Sequence, residues 1–113
     1  MTELDAGVLV TAADVDLTLT PVPAAQVVAG RPATGSVDLD EDMGIGVWEM
    51  TPGAMSDTEI EEVFVVVAGD ATVEFVDPAL PAIQLTPGAI VRLESGMRTV
   101  WTVRETLRKV YLA

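Results

Sequence analysis

The sequence predicts an all-β domain, an antiparallel sandwich or barrel, and three observations support this. Short segments rich in β-branched residues follow one another from residue 46 onward, and such side chains suit the pleated surface of a strand. Turn-forming pairs such as Pro52-Gly53, Pro87-Gly88 and Ser95-Gly96 separate these segments. No long segment has the periodicity of an amphipathic helix, so the strands must pack against one another.

The first 45 residues predict an N-terminal arm with short strands. Residues 14–20 alternate apolar and polar side chains, which is typical of a half-buried strand, and Pro21 and Pro23 end the pattern. The acidic run at residues 38–42 predicts a solvated hairpin loop. Its carboxylates suit a hard cation, but they lack the spacing of a calcium-binding EF-hand loop.

Residues 46–113 predict the core of the barrel. Within residues 63–68 apolar side chains occupy both alternating faces, whereas a two-layer sandwich buries only one face of each sheet. The other face needs a cover from the N-terminal arm or from a second subunit, and we predict a homodimer. The candidate strands span residues 46–51, 59–68, 71–76, 82–85, 89–93, 98–104 and 108–112.

Length, charge and composition narrow the class of protein. A chain of 113 residues fits one domain, which we predict over residues 1–113. The formal net charge is −12, from 18 acidic and 6 basic side chains, so we expect no nucleic-acid partner and no membrane partner. The sequence has no cysteine, no secretion signal and no apolar span long enough for a bilayer, which predicts a cytoplasmic protein.

Two glycine-framed blocks resemble the paired motifs of the cupin superfamily. Glu62, residues 63–68 and Gly69 match the closing half of the first cupin motif, and Gly88 and Gly96 match the second. The wider sequence, from residues 46–53 to residues 108–111, is similar to the ureidoglycine aminohydrolase-type cupins. The resemblance implies a single-domain cupin, an RmlC-like jelly-roll β-barrel, with residues 1–45 as strands and arm and residues 46–113 as barrel core.

The resemblance also implies where a metal would bind, and the sequence departs from the family at those positions. Cupins usually hold a metal ion through histidines, and the aminohydrolase uses manganese, but this chain has no histidine. The corresponding positions are Ser56, Thr58, Glu62 and Thr99, of which only Glu62 has a side chain that binds a divalent ion well. With the longer spacing of the motif, Met55 and Asp57 replace Ser56 and Thr58, and neither is a histidine. We therefore predict a degenerate metal site, with no metal and no cofactor.

The same positions predict a pocket for a small molecule. Glu62 is the candidate polar anchor, or a general base with a raised pKa, and Trp48 and Trp101 are candidate apolar walls. The alternatives are that Glu62 lies at the barrel mouth, paired with Arg92 or Arg98 or solvated, and that the tryptophans are core residues. The remaining pocket candidates are three hydroxyl donors and a cation that could grip a carboxylate: Ser56, Thr58, Thr99 and Arg98.

A set of three acidic residues precedes the apolar segment 63–68. Asp57, Glu59 and Glu61 alternate on one face, with Glu62 on the opposite face. We predict a solvated strand edge whose like charges discourage edge-to-edge pairing. Binding of Ca²⁺ or Mg²⁺ is the alternative, because both ions accept shells made of oxygen alone.

No nucleophilic arrangement is apparent, so we assign no catalytic residue, and whether the protein is an enzyme stays open. A Ser-His-Asp or Cys-His site cannot form, and Lys109, the only lysine, lies beside the C-terminus. We predict a metal-free, non-enzymatic barrel that binds a small molecule. The alternatives are an enzyme resembling ureidoglycine aminohydrolase that acts on a ureide or small amide through Glu62, and a partner-binding module that uses its acidic rim.

Overall fold

The computed structural model describes residues 4–113 and confirms the predicted all-β fold. The helical content of this part of the chain is one 3-10 turn, Ala12–Asp14, and no helix in it could span a bilayer. The strands are β1 (Thr20–Pro21), β2 (Val27–Ala29), β3 (Ala33–Asp40), β4 (Ile45–Met50), β5 (Gly53–Thr58), β6 (Glu62–Asp77), β7 (Ile83–Leu85), β8 (Ile90–Leu93) and β9 (Arg98–Leu112).

The strands form a 9-stranded antiparallel sheet that curls into two halves because β6 and β9 are long enough to take part in both. In the first half, residues 107–112 of β9 lie between β4 and the start of β6, with β3 beyond β4 and β8 beyond β6. In the second half, residues 98–103 of β9 lie between β5 and the end of β6, with β2 beyond β5 and β7 beyond β6. Side chains from both halves meet in one apolar core.

The two long strands bend together at the glycine that closes the first motif. The register between β6 and β9 shifts between Val66 and Ala71. Gly69 has a φ of +103°, and a side chain at this position would collide with the carbonyl oxygen of Thr106. The sequence pattern predicted separate strands on either side of this point. That prediction is wrong, because β6 and β9 each continue through the bend as one strand, with an irregular register between them.

The N-terminal segment, residues 4–17, covers the outer face of the first half. Val15 packs with Leu39 and Val47 in a second, smaller core, against which Leu17 and Val110 are half-buried. The arm therefore covers outward apolar side chains of β3, β4 and β9, and the smaller core includes none of residues 63–68. Val65, one of the outward valines of β6, stays exposed beside Ile90 of β8.

Arg108 holds this segment in place. Its Nε donates to Oε1 of Glu49 at 2.9 Å, while Nη1 donates to the carbonyl oxygens of Ala12 at 2.9 Å, Ala13 at 3.2 Å and Val15 at 2.6 Å. The planar guanidinium carries donors on three nitrogens, so Nε binds Glu49 while Nη1 binds the backbone carbonyls. The ion pair is mostly buried, so the segment is tied to the sheet by more than apolar contact.

Candidate functional site

A cavity of about 420 Å³ lies between the first half of the sheet and the loop that joins β5 to β6. Its size is that of a site for a small organic molecule. We call it the barrel cavity. Its walls combine two tryptophans with several ionisable side chains: Ser36, Asp38, Trp48, Asp57, Thr58, Glu59, Ile60, Glu62, Trp101, Lys109, Tyr111 and Ala113.

Lys109 reaches this cavity because of the alternation along β9. Leu107, Lys109 and Tyr111 point inward, whereas Arg108 and Val110 point outward. The Lys109 side chain is only 5% exposed. Its Nζ lies 4.3 to 4.7 Å from the ring centroids of three aromatic residues, a distance at which the negative ring faces stabilise an ammonium group: Trp48, Phe64 and Trp101.

The Lys109 ammonium is paired with Glu62, the glutamate of the first motif. Nζ lies 3.2 Å from Oε1 and 3.4 Å from Oε2, so both carboxylate oxygens face the cation. Burial lowers the pKa of Lys109, and the negative charges of Glu62, Glu59 and Asp57 oppose that effect. The two side chains satisfy one another in a site that little water reaches.

Glu59 is the second buried carboxylate. It lies in the loop between β5 and β6, and backbone hydrogen bonds to Met97 at 2.8 Å and from Gly96 at 2.9 Å fix this loop against the β8–β9 turn. Its Oε2 accepts a hydrogen bond from the Thr99 hydroxyl at 2.6 Å and one from Trp101 Nε1 at 2.9 Å. Both donors are neutral, so they orient the carboxylate without cancelling its charge.

Asp57, at the end of β5, is a half-buried carboxylate on the same cavity. Burial raises its pKa from 3.8 to about 6, with a further contribution from the negative charge of Glu59. Glu62 acts in the same direction, whereas the Thr58 amide and the Lys109 ammonium stabilise the ionised form. The side chain therefore titrates close to neutral pH.

Tyr111 of β9 and Asp38 of β3 form one wall of the cavity. The Tyr111 hydroxyl donates to Oδ1 of Asp38 at 2.6 Å. Burial and this hydrogen bond to a carboxylate raise the pKa of Tyr111, so its phenol remains a donor over the whole physiological range. Gly46 makes room for the ring, since a side chain there would overlap the tyrosine.

The structure brings four of the predicted pocket residues together. Glu62, Thr58, Trp48 and Trp101 all line the barrel cavity. The Trp48 and Trp101 ring centroids are 5.6 Å apart and the planes are tilted by 55°, so the two rings form one continuous wall. Trp101 is almost fully buried, which also makes it a core residue, whereas Trp48 is half-buried.

The other three predicted residues lie elsewhere. Ser56 and Arg98 line a separate surface depression of about 300 Å³ on the other side of β5, and the Ser56 hydroxyl faces the carbonyl oxygen of Gln26. Thr99 lies behind Glu59 and gives its hydroxyl hydrogen to that carboxylate. Neither Arg98 nor Arg92 pairs with Glu62, because Arg92 binds Glu61 at 2.6 Å and Lys109 takes the place beside Glu62.

Sequence reasoning missed two residues that dominate the site. Glu59 was predicted to be solvated on one face with Asp57 and Glu61, and this is wrong because β5 ends at Thr58 and β6 begins at Glu62. The intervening turn points Glu59 inward while Glu61 stays exposed. Lys109 was set aside for its place near the C-terminus, although the alternation with Leu107 and Tyr111 would have placed it inside.

The residues at the cavity do not fit a transition metal. Within residues 4–113 no three His, Cys, Asp or Glu side chains converge in a way that could hold a metal ion. Of the motif positions, Ser56 and Thr99 bond to protein groups, and Glu62 faces the Lys109 ammonium, which competes electrostatically with any cation at its carboxylate.

Comparison with protein families gives one result that spans most of the chain. The model of the EutQ-like cupin domain matches residues 37–111, which include all residues that line the barrel cavity except Ser36 and Ala113. No curated protein is similar enough to the chain to count as a match.

Solved structures show the same fold. A protein of unknown function of the DUF861 family from Pseudomonas syringae pv. tomato is 25% identical, with a TM-score of 0.72, over 87% of this chain and 44% of that one. The EutQ protein of Clostridium difficile is 19% identical, with a TM-score of 0.61, over 71% of this chain and 66% of that one. A putative ethanolamine utilization protein Q from Salmonella typhimurium is 13% identical, with a TM-score of 0.57, over 87% and 94%. This chain thus spans less than half the length of the P. syringae protein.

Proposed function

Because the chain belongs to the EutQ-like cupin domain family, we propose that it is a small-molecule-binding cupin that works without a metal ion. The observation that carries the proposal is the Lys109 ammonium, held 3.2 Å from the motif glutamate Glu62 and enclosed by three aromatic rings. In this proposal the ammonium supplies the positive charge that a metal ion supplies in other cupins.

The cavity walls support binding rather than packing alone. Trp48 is half-buried and offers part of its ring as an apolar wall, while Thr58 and Tyr111 add hydroxyl groups at the rim and the β3 side. A volume of about 420 Å³ accepts a molecule of a few to a dozen heavy atoms. Glu62 keeps the role of polar anchor, now acting through its pair with Lys109.

Elemental analysis and a fluorescence screen test this function. Protein purified without chelators and dialysed should contain no stoichiometric Mn, Fe, Zn or Ni, and retention of one equivalent would overturn the metal-free proposal. Both tryptophans of the chain line the cavity, so ligands from a small-metabolite library should change the intrinsic fluorescence. Glu62→Gln should weaken binding, whereas Glu61→Gln, the adjacent exposed carboxylate, serves as the matched control.

The second candidate function is an enzyme that acts on a ureide or small amide, as the resemblance to ureidoglycine aminohydrolase implies. The observation that favours it is the buried acid–base pair of Glu62 and Lys109 at the cavity wall. Ammonia release from ureides and small amides would measure the activity. Release that Glu62→Gln abolishes and Glu61→Gln preserves would establish the enzyme, and no release above the buffer rate would exclude it for these substrates.

We also propose that the chain forms a homodimer. Val65 and Ile90 face each other across β6 and β8, and their exposed fractions are 36% and 71%. If two copies pack against each other through Val65 and Ile90, both side chains are removed from water. Light scattering should give twice the monomer mass, and Ile90→Asp should restore the monomer; a monomeric wild type at micromolar concentration contradicts the proposal.

A further inference from the structure

The charges that line the barrel cavity are unequal. Four carboxylates, those of Asp38, Asp57, Glu59 and Glu62, share the lining with one ammonium, that of Lys109. No arginine lines it, and in the described chain Arg92, Arg104 and Arg108 each bind a carboxylate elsewhere. Lys109 faces Glu62 directly, so the other three carboxylates leave an excess of negative charge around the cavity.

Glu59 presents one free oxygen to this cavity. Both of its donors, Thr99 and Trp101, bind Oε2, and Oε1 accepts no hydrogen bond from residues 4–113. Glu59 is only 6% exposed. In the described chain, every side-chain nitrogen or oxygen that is fully buried has a hydrogen-bond partner. Oε1 must therefore be open to the cavity that Glu59 lines, where it is an acceptor without a donor.

Asp57 adds a second acceptor beside it. Its Oδ1 accepts the Thr58 amide at 2.9 Å, and Oδ2 accepts no hydrogen bond from the described residues. Asp57 and Glu59 lie close enough to repel one another, which is part of the reason that the pKa of Asp57 is raised. A cation between them would relieve this repulsion.

Lys109 shows which kind of cation the walls suit. Its ammonium is stabilised by a carboxylate and by the faces of three aromatic rings. Trp48, which contributes one of these rings, is only half-buried and lines the cavity. Trp48 therefore lines the same cavity as the carboxylates of Asp57 and Glu59, so the lining offers a ligand both an aromatic ring and two carboxylates.

We propose that the ligand of the barrel cavity is an organic cation, whose ammonium or guanidinium group binds to Glu59 Oε1 and Asp57 while its apolar part lies against Trp48. This rests on the proposed small-molecule-binding function and deepens it by naming the ligand class. The ammonium group donates to both carboxylates, and Glu62 remains paired with Lys109.

Four small probes test the ligand class: propylammonium, propylguanidinium, propanol and propionate, titrated by tryptophan fluorescence and by calorimetry at pH 8 and low ionic strength. We expect at least one of the two cations to bind about tenfold more tightly than propanol, and propionate to bind most weakly. Asp57→Asn and Glu59→Gln should each weaken cation binding by about fivefold or more, and glutamine keeps an acceptor for Thr99 and Trp101.

Two control variants remove the same charge at exposed positions outside the cavity, Asp42→Asn and Glu74→Gln, and should leave cation binding unchanged. Propanol or propionate binding as tightly as both cations would overturn the inference while the proposed binding function stands. Absence of saturable binding by both cations would also overturn it, and the library screen then decides the proposed function by itself. Tighter binding of Mn²⁺ or Ca²⁺ than of either organic cation would replace it with a metal site.

Discussion

Lys109 and Arg108 are neighbours on β9, and they hold their charges in opposite ways. Lys109 points into the barrel, where its ammonium pairs with one carboxylate, Glu62, and lies over three aromatic rings. Arg108 points outward, where its guanidinium binds Glu49 and three carbonyl oxygens of the N-terminal segment. One strand therefore places a cation on each face of the sheet.

The difference separates a cation that joins two parts of the chain from one that our proposal places at a ligand site. Arg108 binds four protein acceptors through Nε and Nη1, and these bonds join the sheet to the N-terminal segment. Lys109 lies in a cavity wall among carboxylates that its own charge does not fully balance. The number of protein acceptors around each cation, and not its burial alone, distinguishes the two roles.

Removing the inner cation gives the largest expected effect. Lys109→Met leaves Glu62 buried without a partner and should lower the free energy of unfolding by about 3–5 kcal/mol. The double variant Lys109→Met/Glu62→Leu should recover most of that loss, because it removes both charges together. Urea denaturation of the three proteins at pH 7 measures both values. A single variant as stable as the wild type would contradict the buried ion pair.

Removing the outer cation should have a smaller and more local effect. Arg108→Ala should cost about 1.5–3 kcal/mol, because hydrogen bonds to a charged group are lost at a mostly buried position. Amide hydrogen exchange should quicken mainly at Leu4, Val8 and Asp14, whose amides bond to backbone carbonyls in or below the N-terminal segment. Arg108→Lys should restore only part of the protection, since lysine lacks the planar fork. Uniform exchange in all three proteins would show that Arg108 does not hold the segment.

The acidic side of the cavity predicts a pH dependence. Because the pKa of Asp57 is raised to about 6 from 3.8, the folded protein retains a proton that the unfolded chain has released between these values. Stability from this group is full below pH 3.8 and is lost as the pH rises through about 6. Asp57→Asn should therefore stabilise the protein at pH 8 by about 1 kcal/mol, a value reduced because the side chain is half exposed, and should have no such effect near pH 3.5. Equal effects at both pH values would exclude this titration.

The smallest effect is expected at the exposed pair of the second half of the sheet. Arg104 contacts Asp70 at 2.9 Å, but both side chains are well exposed to solvent. Such a pair is screened by water and salt, so Arg104→Ala should leave the urea midpoint unchanged within error. A clear loss of stability would mean that the strand bend near Asp70 depends on the pair.

The fold was predictable because it rests on short-range patterns. The turn pairs, the alternation along the strands and the spacing from Glu62 to Gly69 all survive in the structure. The site was predictable only in part, since Trp48, Trp101 and Glu62 lie on regular strands whose alternation can be read. Glu59 could not be placed from the sequence, because it lies in a turn of three residues between β5 and β6. The alternation of the neighbouring strands does not continue through this turn, so it does not show which side chains point inward.

The enclosure of the only lysine has a practical consequence for chemical labelling. Reagents that acylate lysine side chains meet a single ε-amine in this chain, and that amine is only 5% exposed and enclosed by three aromatic rings. The folded protein should therefore take up this label only when the barrel opens. The labelling rate then reports the rate of opening at one known residue.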